Sequence, residues 1–208
     1  MERLKKLMVS SNPWLRVITI YLIGFLLLII VAITSNVLLP EGIIKNANPL
    51  WNWSVSQNLL LGTLQIFCFN LIFDVVMVLA DLFAKCSRKS ECYLPAGYWC
   101  LFLMFIIFGV MIGTWSFQMA TTSMPFIDRM ARMFNITEAS GLLEMLAFCC
   151  IAGATANIAI VKSKKDGSTT SSRVRDIHLS GSEIIILIIG LCLQLTAAFI
   201  ETNSIHLI

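Results

Sequence analysis

Five carboxyl and amide side chains in or next to long apolar stretches of the sequence have types that are suited to chemistry there. Carboxyl and amide groups can carry protons, bind cations or form hydrogen bonds between helices. An ionisable side chain costs about 2.5–3.5 kcal/mol at the centre of a membrane helix, so such residues are functional candidates by default. We refer to these five residues as the polar set: Glu144, Glu201, Asn70, Asp74 and Asp81.

Two carboxylates of the polar set lie near the ends of the last two apolar runs. Glu144 is about five residues into the fourth run, and Glu201 closes the fifth. In consecutive membrane helices they would lie at similar depth near the same face. Contact between them would require one to hold a proton, whereas Arg129 or Arg132 folding over them would let both stay ionised. The alternative is that each carboxylate reaches to the interface and has no further role.

The other three members of the polar set follow one another along the second run. Asn70, Asp74 and Asp81 are separated by four and seven residues, steps that return to nearly the same side of a helix. We expect this side to face protein rather than lipid. One interpretation is a path for protons or cations. The other is polar contact that holds helices together, with Asp81 close to Lys85 one turn later.

The composition indicates which solvent surrounds these residues. The chain has 208 residues, of which 58% are hydrophobic and 13% are charged, and its mean hydropathy is +0.84. Soluble domains are about 45–50% apolar and about 25% charged. The sequence therefore predicts an all-α fold, a polytopic membrane helix bundle of about five transmembrane helices. The five apolar runs cover about residues 17–39, 58–84, 97–119, 139–161 and 183–200.

The basic residues predict how the bundle is oriented. Twelve of the 15 Lys and Arg residues fall at the N-terminus and in the second and fourth connections between runs. Because cytoplasmic loops are enriched in Lys and Arg, we expect these three segments in the cytoplasm and the C-terminus outside a cell membrane. Whether the fourth run crosses fully or re-enters stays open. The predicted organisation is a cytoplasmic segment 1–16, a five-helix domain 17–203 and, within it, a polar cytoplasmic loop 162–180.

Small residues on the third and fourth runs predict where helices pack closely. Gly109 and Gly113 form a small-xxx-small motif on the third run. Such spacing lets two helix backbones approach each other in a membrane, where helix association depends on close packing. We assign the same packing role to Gly141 and Gly153 on the fourth run.

Motifs of enzymatic chemistry are scarce in this sequence. The two histidines, His178 and His206, fall in a predicted loop and near the C-terminus. The chain has no Gly-x-Ser-x-Gly, His-Glu-x-x-His or phosphate-binding glycine loop, and its seven cysteines follow no metal spacing. We therefore expect no enzyme, no cofactor and no metal. A net charge of +3 without a basic and aromatic tract predicts no nucleic-acid partner.

Two motifs together resemble the stage II sporulation protein M family of small membrane proteins. Gly141-Leu-Leu-Glu-Met-Leu-Ala147 is similar to the Gly-x-x-Glu-x-x-Ala signature of that family's fourth helix. Ala197-Ala-Phe-Ile-Glu201 resembles the end of its last helix. The chain departs from the family at Ala139-Ser-Gly141, where Pro-His-Gly is frequent, and at Phe108-Gly109, where Asn-Gly is common. The resemblance is that of a distant member.

The resemblance implies a non-enzymatic membrane scaffold or interaction component of the kind that takes part in envelope remodelling. The implied partners are the lipid bilayer and other membrane or envelope proteins, with a homo-oligomer as a further option. The residues themselves leave a second function open, a subunit of a small-solute or ion permease that uses the intramembrane carboxylates.

Overall fold

Three of the five apolar runs form helices long enough to cross a bilayer. They are α2 (Pro13–Leu38), α3 (Leu59–Asp81) and α7 (Gly181–His206). At 1.5 Å per residue, even the 23 residues of α3 extend about 34 Å, more than a hydrocarbon layer of about 30 Å. The computed structural model describes residues 2–45, 55–86, 93–117, 124–135, 140–164 and 168–206.

Two other apolar runs form helices that are shorter than predicted. α4 (Gly97–Gly113) has 17 residues and α6 (Gly141–Thr155) has 15. Their lengths are about 25 Å and 22 Å. Hydropathy did not reveal these ends because the sequence stays apolar beyond them. Two short helices, α1 (Glu2–Met8) and α5 (Phe126–Arg132), complete the α-helices of the described residues, and a single 3-10 turn covers Val174–Asp176.

The first long helix begins earlier than its apolar run. Asn12 caps it, with the side-chain oxygen accepting from the backbone N–H of Trp14 at 3.0 Å. Pro13 follows as the first helical residue, where its missing N–H costs nothing. Consequently Arg16, which the sequence analysis placed in the cytoplasmic segment 1–16, belongs to α2 and is fully buried.

A small β-sheet corrects the expectation that the fold is all-α. Its strand order is β2-β1-β3-β4, with β1 parallel to β3 and the two outer pairs antiparallel. It joins the connection between α3 and α4 to the predicted loop 162–180, which sequence analysis had treated as separate loops. The strands are β1 (Phe83–Cys86), β2 (Tyr93–Pro95), β3 (Val161–Ser163) and β4 (Thr169–Ser171).

The helices pack through a continuous apolar core. α2 and α4 run parallel, since Gly24 meets Phe105 and, further along both helices, Ser35 meets Gly113. α6 and α7 are antiparallel, and Gly190 of α7 lies against α6. The largest buried apolar side chains of the core are Phe105, Phe148, Ile20, Leu28, Met77, Leu101, Ile151 and Ile186.

The outward faces of the long helices are apolar as well. On a soluble protein, contiguous apolar patches of this extent are rare. A surface of this kind is suited to lipid, which needs no polar groups from the protein. The exposed residues include Ile18, Leu22, Leu26 and Ile30 on α2, Ile72, Val75, Val76 and Leu79 on α3, and Ile184, Ile185 and Ile188 on α7.

Candidate functional site

Three members of the polar set meet where α3, α6 and α7 come together. Asn70 donates from Nδ2 to Oε1 of Glu144 at 3.3 Å. The carboxyl group of Glu144 also lies next to that of Glu201. A carboxylate has no hydrogen to donate, so a hydrogen bond between the two requires a proton on one of them. We call these two acids the acidic pair, and an amide of α3 is bonded to one of them.

The order of the elements explains why these carboxyl groups meet. Glu144 lies in the first turn of α6, and Glu201 lies near the end of α7. Because α6 and α7 are antiparallel, the beginning of one is beside the end of the other. Both acids are partly buried. Glu144 is bonded to the middle residue of the 23-residue helix α3, so it lies deeper in the bundle than the expected position near one membrane face.

Arg129 does not cover the acidic pair, so the prediction is wrong for this one of the two arginines. Its Nε donates to the carbonyl of Met124 at 2.6 Å, and its Nη1 donates to the carbonyl of Gly113 at 2.9 Å. The guanidinium also pairs with Glu41 and lies over the ring of Trp115. Arg129 thus joins α5 to the end of α4 and to the segment that follows α2.

Asp74 lies one turn from Asn70 on the inward face of α3, next to Gln194 of α7. Both side chains are buried. Within the described residues, neither the carboxylate oxygens of Asp74 nor the amide atoms of Gln194 have a hydrogen-bond partner of normal geometry. A buried polar group left in this state costs about 1–3 kcal/mol. The sequence analysis missed Gln194, although a polar residue inside an apolar run is itself a signal.

Asp81 ends α3 and connects three helices. Its Oδ1 accepts from the backbone N–H of Gly97 in α4 at 3.0 Å, and its Oδ2 accepts from the hydroxyl of Thr155 in α6 at 2.6 Å. A Cβ at position 97 would overlap Asp81, so this contact favours glycine there. The predicted pairing with Lys85 one helical turn later is wrong, because α3 stops at Asp81 and Lys85 belongs to β1.

A buried ion pair at the same end of the bundle was not anticipated. Arg16 of α2 donates from Nη2 to Oε1 of Glu183 in α7 at 2.5 Å. Asn157, just after α6, donates to the same oxygen at 3.1 Å, and Ser180 bonds the other oxygen. Sequence analysis counted Arg16 among the basic residues of the N-terminus and used Glu183 as the start of the fifth apolar run. Their opposite charges at one predicted membrane face were the available signal.

The four glycines assigned to packing lie against other helices. A Cβ on Gly109 would be 2.8 Å from the carbonyl oxygen of Leu28, and one on Gly113 would overlap Ser35, both on α2. A Cβ on Gly153 would be 2.6 Å from a methyl carbon of Val17. Gly141 faces the ring of Phe108 on α4. Three of the four contacts thus involve α2, the helix around which α4 and α6 pack.

Taken by depth, the polar residues form three levels along α3. Asn70 with the acidic pair lies at one level, Asp74 with Gln194 at the next, and Asp81 at the end nearest the sheet. Met77 is fully buried between Asp74 and Asp81 on the same face of the helix. Its apolar side chain separates the last level from the other two. Among the described residues, no group of three or more His, Cys, Asp or Glu side chains is arranged to hold a metal ion.

Comparison with known proteins gives no relative for this chain. No model of a protein family, no curated protein and no solved structure matches it significantly. The resemblance to the sporulation protein M family accordingly stays a prediction from the two motifs.

Proposed function

We propose that this chain is a five-helix integral membrane protein that acts as a non-enzymatic scaffold for other membrane or envelope proteins. The helix directions support five crossings. Parallel packing of α2 with α4 and antiparallel packing of α6 with α7 are what an alternating path through a membrane requires. With the basic residues on the side of the sheet, the N-terminus lies in the cytoplasm of a cell membrane and the C-terminus lies outside.

The two short helices also fit five crossings. Mostly apolar residues follow both helices, Trp115 to Phe117 after α4 and Ala156 to Ile160 after α6. Adding these non-helical segments brings each element close to the thickness of the hydrocarbon layer. Their backbone groups are bonded within the protein, for example Ser116 N–H to the carbonyl of Met111 at 2.9 Å and Ile160 N–H to the carbonyl of Leu82 at 2.8 Å. Bonded backbone of this kind is tolerated at membrane depth.

One observation carries the scaffold function: of the five charged side chains that are buried in the described part of the chain, all but Asp74 are bonded to a different helix. Asp81 joins α3 to α4 and α6, and Glu183 joins α7 to α2. Glu144 joins α6 to α3 and α7. Side chains that are hydrogen-bonded to another helix fix the arrangement of the helices and are not available to bind a transported solute. A rigid bundle with a sheet at one end and loops at the other is suited to holding partners on both sides.

The scaffold function is tested by recovering partners from native membranes. The tagged full chain is crosslinked in its membrane, solubilised and purified, and co-purifying proteins are identified. An unrelated five-span protein with the same tag, expressed at the same level, serves as the control. We expect a small, reproducible set of membrane or envelope proteins that the control does not capture. Recovery of the same proteins by both chains would contradict the proposal.

A second function, a subunit of a small-solute or ion permease, is favoured by Asp74 and Gln194. These side chains are the exception to the bonded pattern, since both are buried and neither forms a hydrogen bond of normal geometry among the described residues. The test is ion and proton flux in proteoliposomes containing the full chain or the variant Asp74→Asn. Asp128→Asn, at an exposed position on α5, is the matched control. Flux that is lost only in Asp74→Asn, with no partner recovered, would replace the scaffold proposal by this one.

A further inference from the structure

A cleft of about 260 Å³ lies between the β-sheet and the first turn of α4. We infer that this cleft binds one anionic phospholipid, with the phosphate at Lys85 and an acyl chain at Trp99. The inference requires only that the sheet end of α3 and α4 lies at a membrane surface. It is independent of whether the protein is a scaffold or a permease. The residues that carry the argument are Phe83, Lys85, Leu94, Trp99, Val161 and Ser163, all of which line the cleft.

The register of the strands gives the cleft one apolar and one polar end. β1 and β3 are parallel, with Phe83 opposite Val161 and Lys85 opposite Ser163. Alternate residues of a strand point to the same face, so all four side chains share one face of the sheet. Along both strands, the lining of the cleft changes from the apolar side chains of Phe83 and Val161 to the ammonium-bearing Lys85 and the hydroxyl-bearing Ser163. The cleft is therefore amphipathic along the strand direction.

This polarity matches the direction of a membrane normal. β1 begins directly after α3, and the N–H of Val161 in β3 donates to the carbonyl of Leu82 at the end of α3. The apolar ends of both strands are thus next to the membrane helices. Lys85 is two residues further out, about 7 Å from Phe83. That is the direction in which lipid headgroups follow the hydrocarbon.

Aromatic side chains mark the membrane end of the cleft. Trp99 is 74% exposed in the first turn of α4, and Phe83 is 55% exposed at the start of β1. Tryptophan is enriched where hydrocarbon meets headgroups, because its ring is amphipathic. A free phosphate or a soluble phosphate ester would leave this apolar half of the cleft unused. A lipid fills both halves.

The polar end of the cleft has the chemistry of a phosphate site. Lys85 is exposed, and in the described part of the chain it forms no salt bridge with a carboxylate. Thr169 of β4 lies opposite Ser163 in the same row of the sheet, so two hydroxyl-bearing residues are in register with Lys85. A cation with neighbouring hydroxyl donors suits an anionic headgroup, and one basic residue near a membrane surface favours anionic over zwitterionic lipid about fivefold.

The neighbouring strand provides a matched control. Lys162 follows Val161 in β3, so its side chain lies on the opposite face of the sheet, where the ammonium is over the ring of Tyr93. Lys85→Ala and Lys162→Ala remove the same charge from adjacent strands, but only the first removes it from the cleft. Circular dichroism of both variants checks that the helical content is unchanged.

The experiment is native mass spectrometry of the full chain in detergent, titrated with phosphatidylglycerol or phosphatidylcholine. We expect one tight phosphatidylglycerol adduct, with affinity about fivefold weaker in Lys85→Ala and unchanged in Lys162→Ala. Glycerol phosphate in large excess should not displace the lipid. The inference is overturned by equal binding of the two lipids, by equal losses in the two variants, or by displacement with glycerol phosphate, which would indicate a soluble ligand.

Discussion

Arg16 and Glu183 are joined by a buried hydrogen bond of 2.5 Å that connects α2 to α7 at the sheet end of the bundle. The two side chains differ in the number of further hydrogen bonds that they form. Glu183 also accepts hydrogen bonds from Asn157 and Ser180. The remaining guanidinium nitrogens of Arg16, Nε and Nη1, have no partner among the described residues. When Arg16 is removed, Glu183 therefore keeps its bonds to Asn157 and Ser180. When Glu183 is removed, the guanidinium of Arg16 is left without a hydrogen bond among the described residues.

This asymmetry predicts that Glu183→Ala is more damaging than Arg16→Ala. Loss of one member of a buried ion pair costs about 3–5 kcal/mol, because the other charge is left uncompensated. We expect Glu183→Ala to reach that range, Arg16→Ala to cost less, and the double variant to be more stable than Glu183→Ala alone. Thermal unfolding in detergent measures all three. Arg3→Ala, exposed on α1, is the control, and equal losses for the two single variants would contradict the asymmetry.

Alanine at the contacts between α2 and α4 should separate those helices. A Cβ at Gly109 would meet the backbone carbonyl of Leu28, which cannot rotate away, so we expect Gly109→Ala to cost about 1–3 kcal/mol. Gly181→Ala is the control, since a Cβ there has nothing within 4 Å. Thermal unfolding compares the two variants. A Gly109→Ala protein as stable as Gly181→Ala would show that the two backbones do not approach this closely.

A hydrogen bond between the neighbouring side chains of Glu144 and Glu201 needs a donor, and glutamine supplies one without a proton from solvent. We expect Glu201→Gln to keep the stability of the natural protein, and Glu201→Ala to lose about 1–3 kcal/mol because Glu144 is left with Asn70 alone. The measurement is again thermal unfolding in one detergent. Equal stability of the glutamine and alanine variants would mean that this contact does not hold α6 to α7.

The proposed orientation predicts which loops a membrane-impermeant thiol reagent reaches. In a background without the seven natural cysteines, a cysteine in place of Ser168 should be labelled only after the membrane is opened, and one in place of Lys45 should be labelled in intact cells. The reason is that basic connections remain in the cytoplasm. Labelling of both positions from the same side would contradict five crossings with a fully crossing α6.

Apolar runs predicted the long helices because a membrane-crossing stretch can be recognised from its composition alone. The predicted run 17–39 became α2, and 183–200 became the central part of α7. The ends of α4 and α6 were beyond this reasoning. α4 ends where the carbonyl of Gly113 accepts a hydrogen bond from Arg129, a residue of another helix. α6 ends where the hydroxyl of Thr155 donates to Asp81 of α3. Neither contact can be predicted from the hydropathy of the sequence.

For the polar set, the sequence pattern predicted which side chains are buried but not the groups that they bond. Helical spacing was enough to put Asp74 and Asp81 on a protein-facing side, and both are buried. Spacing was not enough to say what each would meet. Asp81 meets a backbone N–H and a threonine hydroxyl, which are invisible to a search for charges. The sheet was missed for a related reason, since its three- and four-residue strands pair across distant loops.

Asp74 and Asp81 should respond in opposite directions to the same substitution. Asp81 accepts two hydrogen bonds, so Asp81→Asn replaces one acceptor by a donor and should cost about 1–3 kcal/mol. Neither carboxylate oxygen of Asp74 has a hydrogen bond of normal geometry in the described part of the chain. Asparagine removes the buried charge and can still bond the neighbouring Gln194, so Asp74→Asn should raise stability by about 1 kcal/mol. Thermal unfolding in one detergent gives both values, with exposed Asp128→Asn expected within about 0.5 kcal/mol of the natural protein.

A gain of stability at Asp74 is typical of a residue that is retained for function, because active groups are often kept at the expense of stability. If Asp74→Asn instead destabilises the bundle as Asp81→Asn does, Asp74 is a structural residue and the basis for the permease function is lost.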